Sequence, residues 1–234
     1  MRLYTLGCSF TNYAWPTWSD ILGLEFETYE NWGYPGLGNR AIAERVSNLH
    51  ALETLTPNDT VIIQWTSHLR HDWHTNDQRH TGQQGVGWKT SGSIFNYINQ
   101  EIYDDKWLKT FFDEHSYMMH TLNSILLTKQ FLDSLGVNYY MTSMGYIYKM
   151  NSDYPSNDGH GEIIEGDIDI WKQIPKLQIY KDKIFNNDRW LKPIGTYAWT
   201  HQEPPYKFVN KQGKTTVDNA TPKTPTGNSN NRSE

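Results

Sequence analysis

The sequence holds one cysteine, Cys8, among 234 residues. No intrachain disulfide can form, which suits a reducing compartment. A basic excess is also missing, since 21 Lys+Arg stand against 26 Asp+Glu for a formal charge of −5. Proteins that draw affinity from neutralising a phosphate backbone carry the opposite balance, so nucleic acid is not an expected partner. No run reaches the roughly 18 uninterrupted apolar residues that a membrane helix needs. The opening Met1-Arg2-Leu3-Tyr4-Thr5-Leu6-Gly7 is too short and too polar for the apolar core of a signal peptide. The expectation is a soluble chain with no signal peptide and no membrane partner. Internal repeats are absent too.

Aromatic side chains, by contrast, are plentiful at 14%, with 10 Trp and 15 Tyr, while charged residues make up only 20%. Most such rings fill cores and interfaces. A surplus of flat rings also suits stacking against sugars or other amphipathic ligands. At a prior of roughly 150 residues per domain, this length fits one domain.

Residues 2–7 alternate and run into Gly7-Cys8-Ser9, which predicts a short buried strand ending in a turn. Trp18, Ile21, Leu22 and Leu24 can share a face of a short helix that starts near Pro16-Thr17 and stops at or near Gly23. A second strand is predicted around Thr28 to Trp32. After the turn Gly33-Tyr34-Pro35-Gly36-Leu37-Gly38, the residues Ile42, Val46, Leu49 and Leu52 mark an amphipathic helix. Thr60 to Trp65 is short, β-branched and bounded by turn residues, the pattern of a strand buried on both faces. Strand and helix alternate through this region, which predicts a parallel sheet with helices packed on it.

Residues 75–100 and 150–200 are predicted to be long excursions. Between them, apolar positions from Asp104 to Leu135 follow a helical period, in one helix or two, and Gly136 ends it. Val137 to Met141 is predicted as a fourth strand with Thr142 to Gly145 as its exit. From 211 to 234 apolar residues nearly vanish, which predicts a polar tail behind a domain of residues 1–210. In open α/β sheets ligands bind at the carboxyl ends of strands. Ser9, Gly36 to Asn39, and Thr66 to His68 are therefore expected to converge.

Ser9 in such a turn can expose its hydroxyl where backbone N–H groups face a developing oxyanion. With these residues in view, the sequence resembles the SGNH (GDSL-like) hydrolase superfamily and is similar to SGNH-like proteins of tailed phages. Gly7-Cys8-Ser9-Phe10 resembles the first family block, with Cys8 where many members have Asp and Ser9 in the nucleophile slot. Asn31-x-Gly33-x-x-Gly36 resembles the second block, which implies Gly36 as a backbone oxyanion donor. In the third block the family's Asn falls near Ser67 or His68, and Asn39 is another candidate donor. Val217-Asp218-Asn219-Ala220-Thr221-Pro222-Lys223 resembles the fourth, with Asp218 as the orienting carboxylate.

No histidine follows His201, so the general base is not identified. His201, His68 and His71 are the candidates, and a catalytically lapsed domain is the alternative. The resemblance implies a three-layer, flavodoxin-like α/β fold with about five parallel strands. It further implies a serine esterase or deacetylase acting on an acylated carbohydrate or small ester. The rival reading is a phage structural or glycan-binding protein. Expected partners are a small ester or glycan, with a homo-oligomer or virion assembly as the wider association, in a host cytoplasm or a virion. No cofactor is expected. His68-x-x-His71-x-x-His74 invites a metal reading, but three imidazoles at that spacing do not share a helical face, so no metal is expected.

Overall fold

The computed structural model describes residues 1–75, 87–89, 92–96, 99–144, 175–185 and 187–191. Its centre is a sheet of four parallel strands. These are β1 (Arg2–Leu6), β2 (Thr28–Asn31), β3 (Thr60–Trp65) and β6 (Asn138–Ser143), in the order β2-β1-β3-β6. A small antiparallel pair, β4 (Trp73–Thr75) and β5 (Gly87–Lys89), lies apart from it. Beyond β6, Trp190 forms a parallel bridge to Met141, fixed by Met141 N–H to Arg189 O at 2.8 Å and Leu191 N–H to Met141 O at 2.7 Å. The predicted fifth strand is represented among the described residues by this single bridge.

Side-chain alternation explains why helices cover both faces. On one face Tyr4, Leu6, Val61, Ile63, Trp65, Tyr139 and Met141 join Ile42, Val46 and Leu49 of α2 (Asn39–Glu53) in one buried cluster. On the other face Thr5 bonds Ser19, and Gln64 bonds the Trp18 indole at 3.2 Å, both partners lying in α1 (Trp18–Gly23). Right-handed crossovers require this arrangement. The connection from β1 steps one way to β2 and the next returns past β1 to β3, so α1 and α2 fall on opposite faces. Helices flank a parallel sheet, and the α/β fold expected from the sequence is the one observed. Among the described residues no helix is long and apolar enough to cross a membrane.

The predicted helical stretch divides into α3 (Asp105–Phe111) and α4 (Glu114–Leu135). Each begins at an aspartate that caps it: Asp104 accepts from Trp107 N–H at 2.7 Å, and Asp113 from Ser116 N–H at 2.9 Å. Gly136, at φ 66°, ends α4 in the left-handed conformation that glycine adopts most readily. Within α2, Leu52 departs from the predicted apolar face and is 52% exposed in the last turn of the helix. The excursion expected over 150–200 contains α5 (Pro175–Phe185), whose Ile184 is buried in the main core. The first excursion likewise contributes Ile94 to a smaller aromatic core with Tyr103 and Tyr117. The segments of 145–174 and 192–234, with the predicted tail, lie outside the described residues.

Candidate functional site

The order β2-β1-β3 places a switch point between β1 and β3, where chains leave neighbouring strands in opposite directions and open a crevice. Ser9 leaves β1 beside it. Its turn is compact because Thr11 N–H and Asn12 N–H both donate to Cys8 O, at 2.9 and 3.1 Å. Ser9 is half-buried, and its hydroxyl has no hydrogen-bond partner among the described residues.

The turn after β2 is bolted to the Ser9 turn. Tyr34 N–H donates to Gly7 O at 3.0 Å, Asn12 Nδ2 to Gly33 O at 2.8 Å, and Asn31 Nδ2 to Thr11 O at 2.8 Å. Asn31 Oδ1 accepts from Gly33 N–H at 3.0 Å, so one buried amide serves both turns. Gly36 follows at φ 82°, in the left-handed region. The structure therefore brings Ser9 and Gly36 onto adjoining turns.

Asn39, a candidate donor on sequence, has a different surrounding. Its Nδ2 donates to Thr66 O at 2.9 Å and to Thr121 Oγ1 at 3.1 Å, while its Oδ1 accepts from Thr66 N–H at 2.8 Å. Both amide hydrogens are committed inside the fold. Asn39 pins the start of α2 to the end of β3, and a ligand would find no free donor on it. Ser67 Oγ accepts from Leu69 N–H at 3.1 Å, which shapes the exit loop of β3.

Two residues unmarked by sequence organise the same edge. Asp72, only 6% exposed, accepts from Gly38 N–H at 2.7 Å and Ala41 N–H at 3.1 Å. Gly38 caps α2 but has no side chain, so the carboxylate arrives from a distant loop to satisfy the helix start. Burial pushes the Asp72 carboxyl above its ordinary range, against the opposing pull of those two N–H groups and of Arg70 and Arg40. Arg70 itself reaches Leu37 O at 2.8 Å with Nη1 and Met144 Sδ at 3.7 Å with Nη2. The same sulfur receives the Cys8 thiol at 3.3 Å and the Thr66 hydroxyl at 3.0 Å. Met144 is thus a hub where the exits of β1, β3 and β6 meet.

The candidate bases have separate partners. His68, 9% exposed, has Nε2 at 3.3 Å from Glu114 Oε1. His71 Nδ1 lies 2.9 Å from the Tyr117 hydroxyl, and its ring is boxed by Trp73, Tyr103, Trp107 and Tyr117 at centroid distances of 5.4, 6.2, 5.6 and 5.8 Å. His74 sits 3.8 Å from Glu44. Neither His68 nor His71 hydrogen-bonds Ser9 among the described residues, and among them no group of three His, Cys, Asp or Glu could hold a metal ion. His201 and Asp218 lie outside the described residues.

Burial, then the charges of Arg40 and His120, hold the His71 imidazole below its ordinary value of 6.5. An unfolded chain therefore takes up this proton more readily than the folded one, and stability tied to His71 falls as pH drops below 6.5. Asp72, with its raised carboxyl, has the opposite sign and becomes less costly on acidification. Urea titrations at pH 7.5 and 5.5 should show a larger acid loss for the parent than for His71→Gln. Equal losses would mean that His71 does not carry the effect.

Comparison with known proteins adds a distant likeness. A solved structure described as a member of the lipolytic protein G-D-S-L family from Veillonella parvula DSM 2008 aligns over 82% of this chain and 76% of that one. Identity is 10% and the TM-score 0.38, too weak a likeness to bear on chemistry. No family model matches the sequence, and no curated protein does.

Proposed function

We propose that this chain is an SGNH-type serine ester hydrolase acting on an acylated carbohydrate or small ester. The reading rests chiefly on one observation: the Ser9 turn and the Gly36 turn are hydrogen-bonded to each other at the switch point of the sheet. Ser9 Oγ would attack the ester carbonyl carbon, its proton passing to a base. The C=O electrons would move to the oxygen, held by the Ser9 and Gly36 N–H groups. Collapse of that intermediate expels the alcohol, and water then releases the acid from Ser9. Asp218 would orient the base, for which His201, His68 and His71 are the candidates.

A second reading, a non-catalytic glycan-binding or structural domain, draws support from aromatic exposure. Trp73, Phe95 and Phe111 are 36%, 46% and 64% exposed, and no histidine bonds Ser9 among the described residues. Labelling with a serine-reactive fluorophosphonate separates the two. The hydrolase reading expects the parent to label and Ser9→Ala to remain unlabelled. A folded parent that takes no label would overturn it in favour of the binding domain.

A further inference from the structure

Arg70 is a guanidinium that pairs with no carboxylate among the described residues. Among the described residues its side chain meets one carbonyl, Leu37 O at 2.8 Å, and one thioether, Met144 Sδ at 3.7 Å. Sulfur is a weak acceptor, and guanidinium carries five N–H donors, so three find no partner among the described residues. The residue is also half-buried. A cation drawn partly out of water is costly unless something negative meets it, and here the negative group is not part of the described chain. Asp72 lies two residues on and feels the Arg70 charge, but its oxygens accept from the Gly38 and Ala41 backbone instead.

Position gives this cation its meaning. Leu37 directly follows Gly36, and Met144 Sδ is shared with Cys8, the neighbour of Ser9. Arg70 therefore spans the exits of β2, β3 and β6 on the edge where the switch point opens. Its backbone is braced as well, by an antiparallel bridge to Ser93 and by Ile94 N–H to Leu69 O at 3.0 Å. A braced cation with spare donors is a preorganised receptor for a planar or tetrahedral oxyanion.

We propose that Arg70 recognises an anionic group, a carboxylate or a phosphate, on the ligand that occupies the carboxyl edge of the sheet. Where the ester-hydrolase reading holds, on which this substrate assignment rests, the favoured substrates are esters bearing a negative charge. Binding of the anion itself does not depend on turnover.

The test is calorimetric titration of the full chain at 0.15 M NaCl with glutarate, with inorganic phosphate, and with the neutral glutaramide. The parent is expected to bind one of the two anions and not the diamide, and the anion that binds identifies the source. Arg70→Met should weaken binding at least about 10-fold, and Arg70→Lys, which keeps charge but not the fork, by less. Because Arg70 also holds Leu37, a second measurement uses the parent alone. Modification of Arg70 by phenylglyoxal, mapped by peptide mass spectrometry, should be slowed by the bound anion. Absence of anion binding by the parent, unchanged binding in a folded Arg70→Met protein, or unprotected Arg70 would each overturn the proposal. Anion binding without fluorophosphonate labelling would leave Arg70's role standing and remove the hydrolase. Labelling without anion binding would do the reverse.

Discussion

Ser9→Ala is expected to lower kcat/KM for p-nitrophenyl acetate by about 10³-fold or more, equivalent to roughly 4 kcal/mol of barrier. A serine hydroxyl reacts only when a base takes its proton as the new C–O bond forms, so methyl in place of hydroxymethyl removes the covalent route altogether. What remains is water reacting within whatever oxyanion stabilisation the Gly36 turn provides. The substitution should be structurally quiet, because Ser9 Oγ makes no hydrogen bond among the described residues. The midpoint of thermal unfolding should therefore move by no more than about 2 °C, within the range of surface substitutions. Turnover that survives in a folded Ser9→Ala protein would rule out this nucleophile.

The same assay identifies the base. His68→Gln, His71→Gln and His201→Gln can each be combined with Ser9→Ala. The true partner is the one whose loss adds nothing once Ser9 is gone, since groups that act as one unit are strongly non-additive. His68 has a carboxylate beside it, in Glu114, and burial lowers the His71 imidazole, which favours the neutral form that a base must have. These are different qualifications, and kinetics decides between them.

The parts of this molecule that were legible in its sequence are those governed by local periodicity. The run Thr60–Trp65 reads as a doubly buried strand because every second residue faces each helix layer, and both layers exist. Gly7 and Gly33 stand in the turns that the sequence predicts at strand ends, and a Cβ at either would come within 3.0 Å of Thr11. Contacts made across the chain left no such trace. Asp72 caps a helix that starts 33 residues earlier, and a lone aspartate in a polar loop carries no sign of that task. Arg70 is equally silent, since its meaning comes from Leu37 and Met144. Asn39 is a candidate donor on sequence, and in the fold its amide bonds Thr66 and Thr121. Nothing in the spacing of those residues announces the pairing. Helix α5 escaped notice because Pro175–Phe185 sits among Asp, Asn and Gly-rich sequence, and its buried Ile184 has a highly exposed companion in Ile179.

Gly7→Ala is expected to destabilise the fold by about 3 kcal/mol, lowering the unfolding midpoint by roughly 6–12 °C for a chain of this size. A Cβ at position 7 would stand 2.1 Å from Thr11 Oγ1 and 3.0 Å from Gln64 O. Thr11 cannot simply turn away. It is fully buried, and its hydroxyl donates to Gln64 Oε1 at 2.9 Å, the same oxygen that takes the Trp18 indole N–H at 3.2 Å. Moving Thr11 would thus cost a buried hydrogen bond, about 1 kcal/mol, on top of overpacking of about 1–3 kcal/mol.

Two comparisons isolate the clash from glycine's general freedom. Gly92 has φ +72° and nothing within 4 Å of a built Cβ, so Gly92→Ala meets backbone strain without collision and should cost only about 1 kcal/mol. Thr11→Ala removes the obstructing oxygen, so adding Gly7→Ala to it should cost less than Gly7→Ala alone. The Thr11 Cβ still lies 3.0 Å from the added methyl, and relief is therefore partial. Strict additivity of the two changes, measured by urea unfolding, would show that the Thr11 hydroxyl is not what keeps position 7 free of a side chain. Because Gly7 O also receives Tyr34 N–H, displacement of the Ser9 turn strains the Gly36 turn with it. If the hydrolase reading holds, a folded remnant of Gly7→Ala should accordingly lose fluorophosphonate labelling even though Ser9 is present, since this bond is one of the three that hold the Ser9 and Gly36 turns in register.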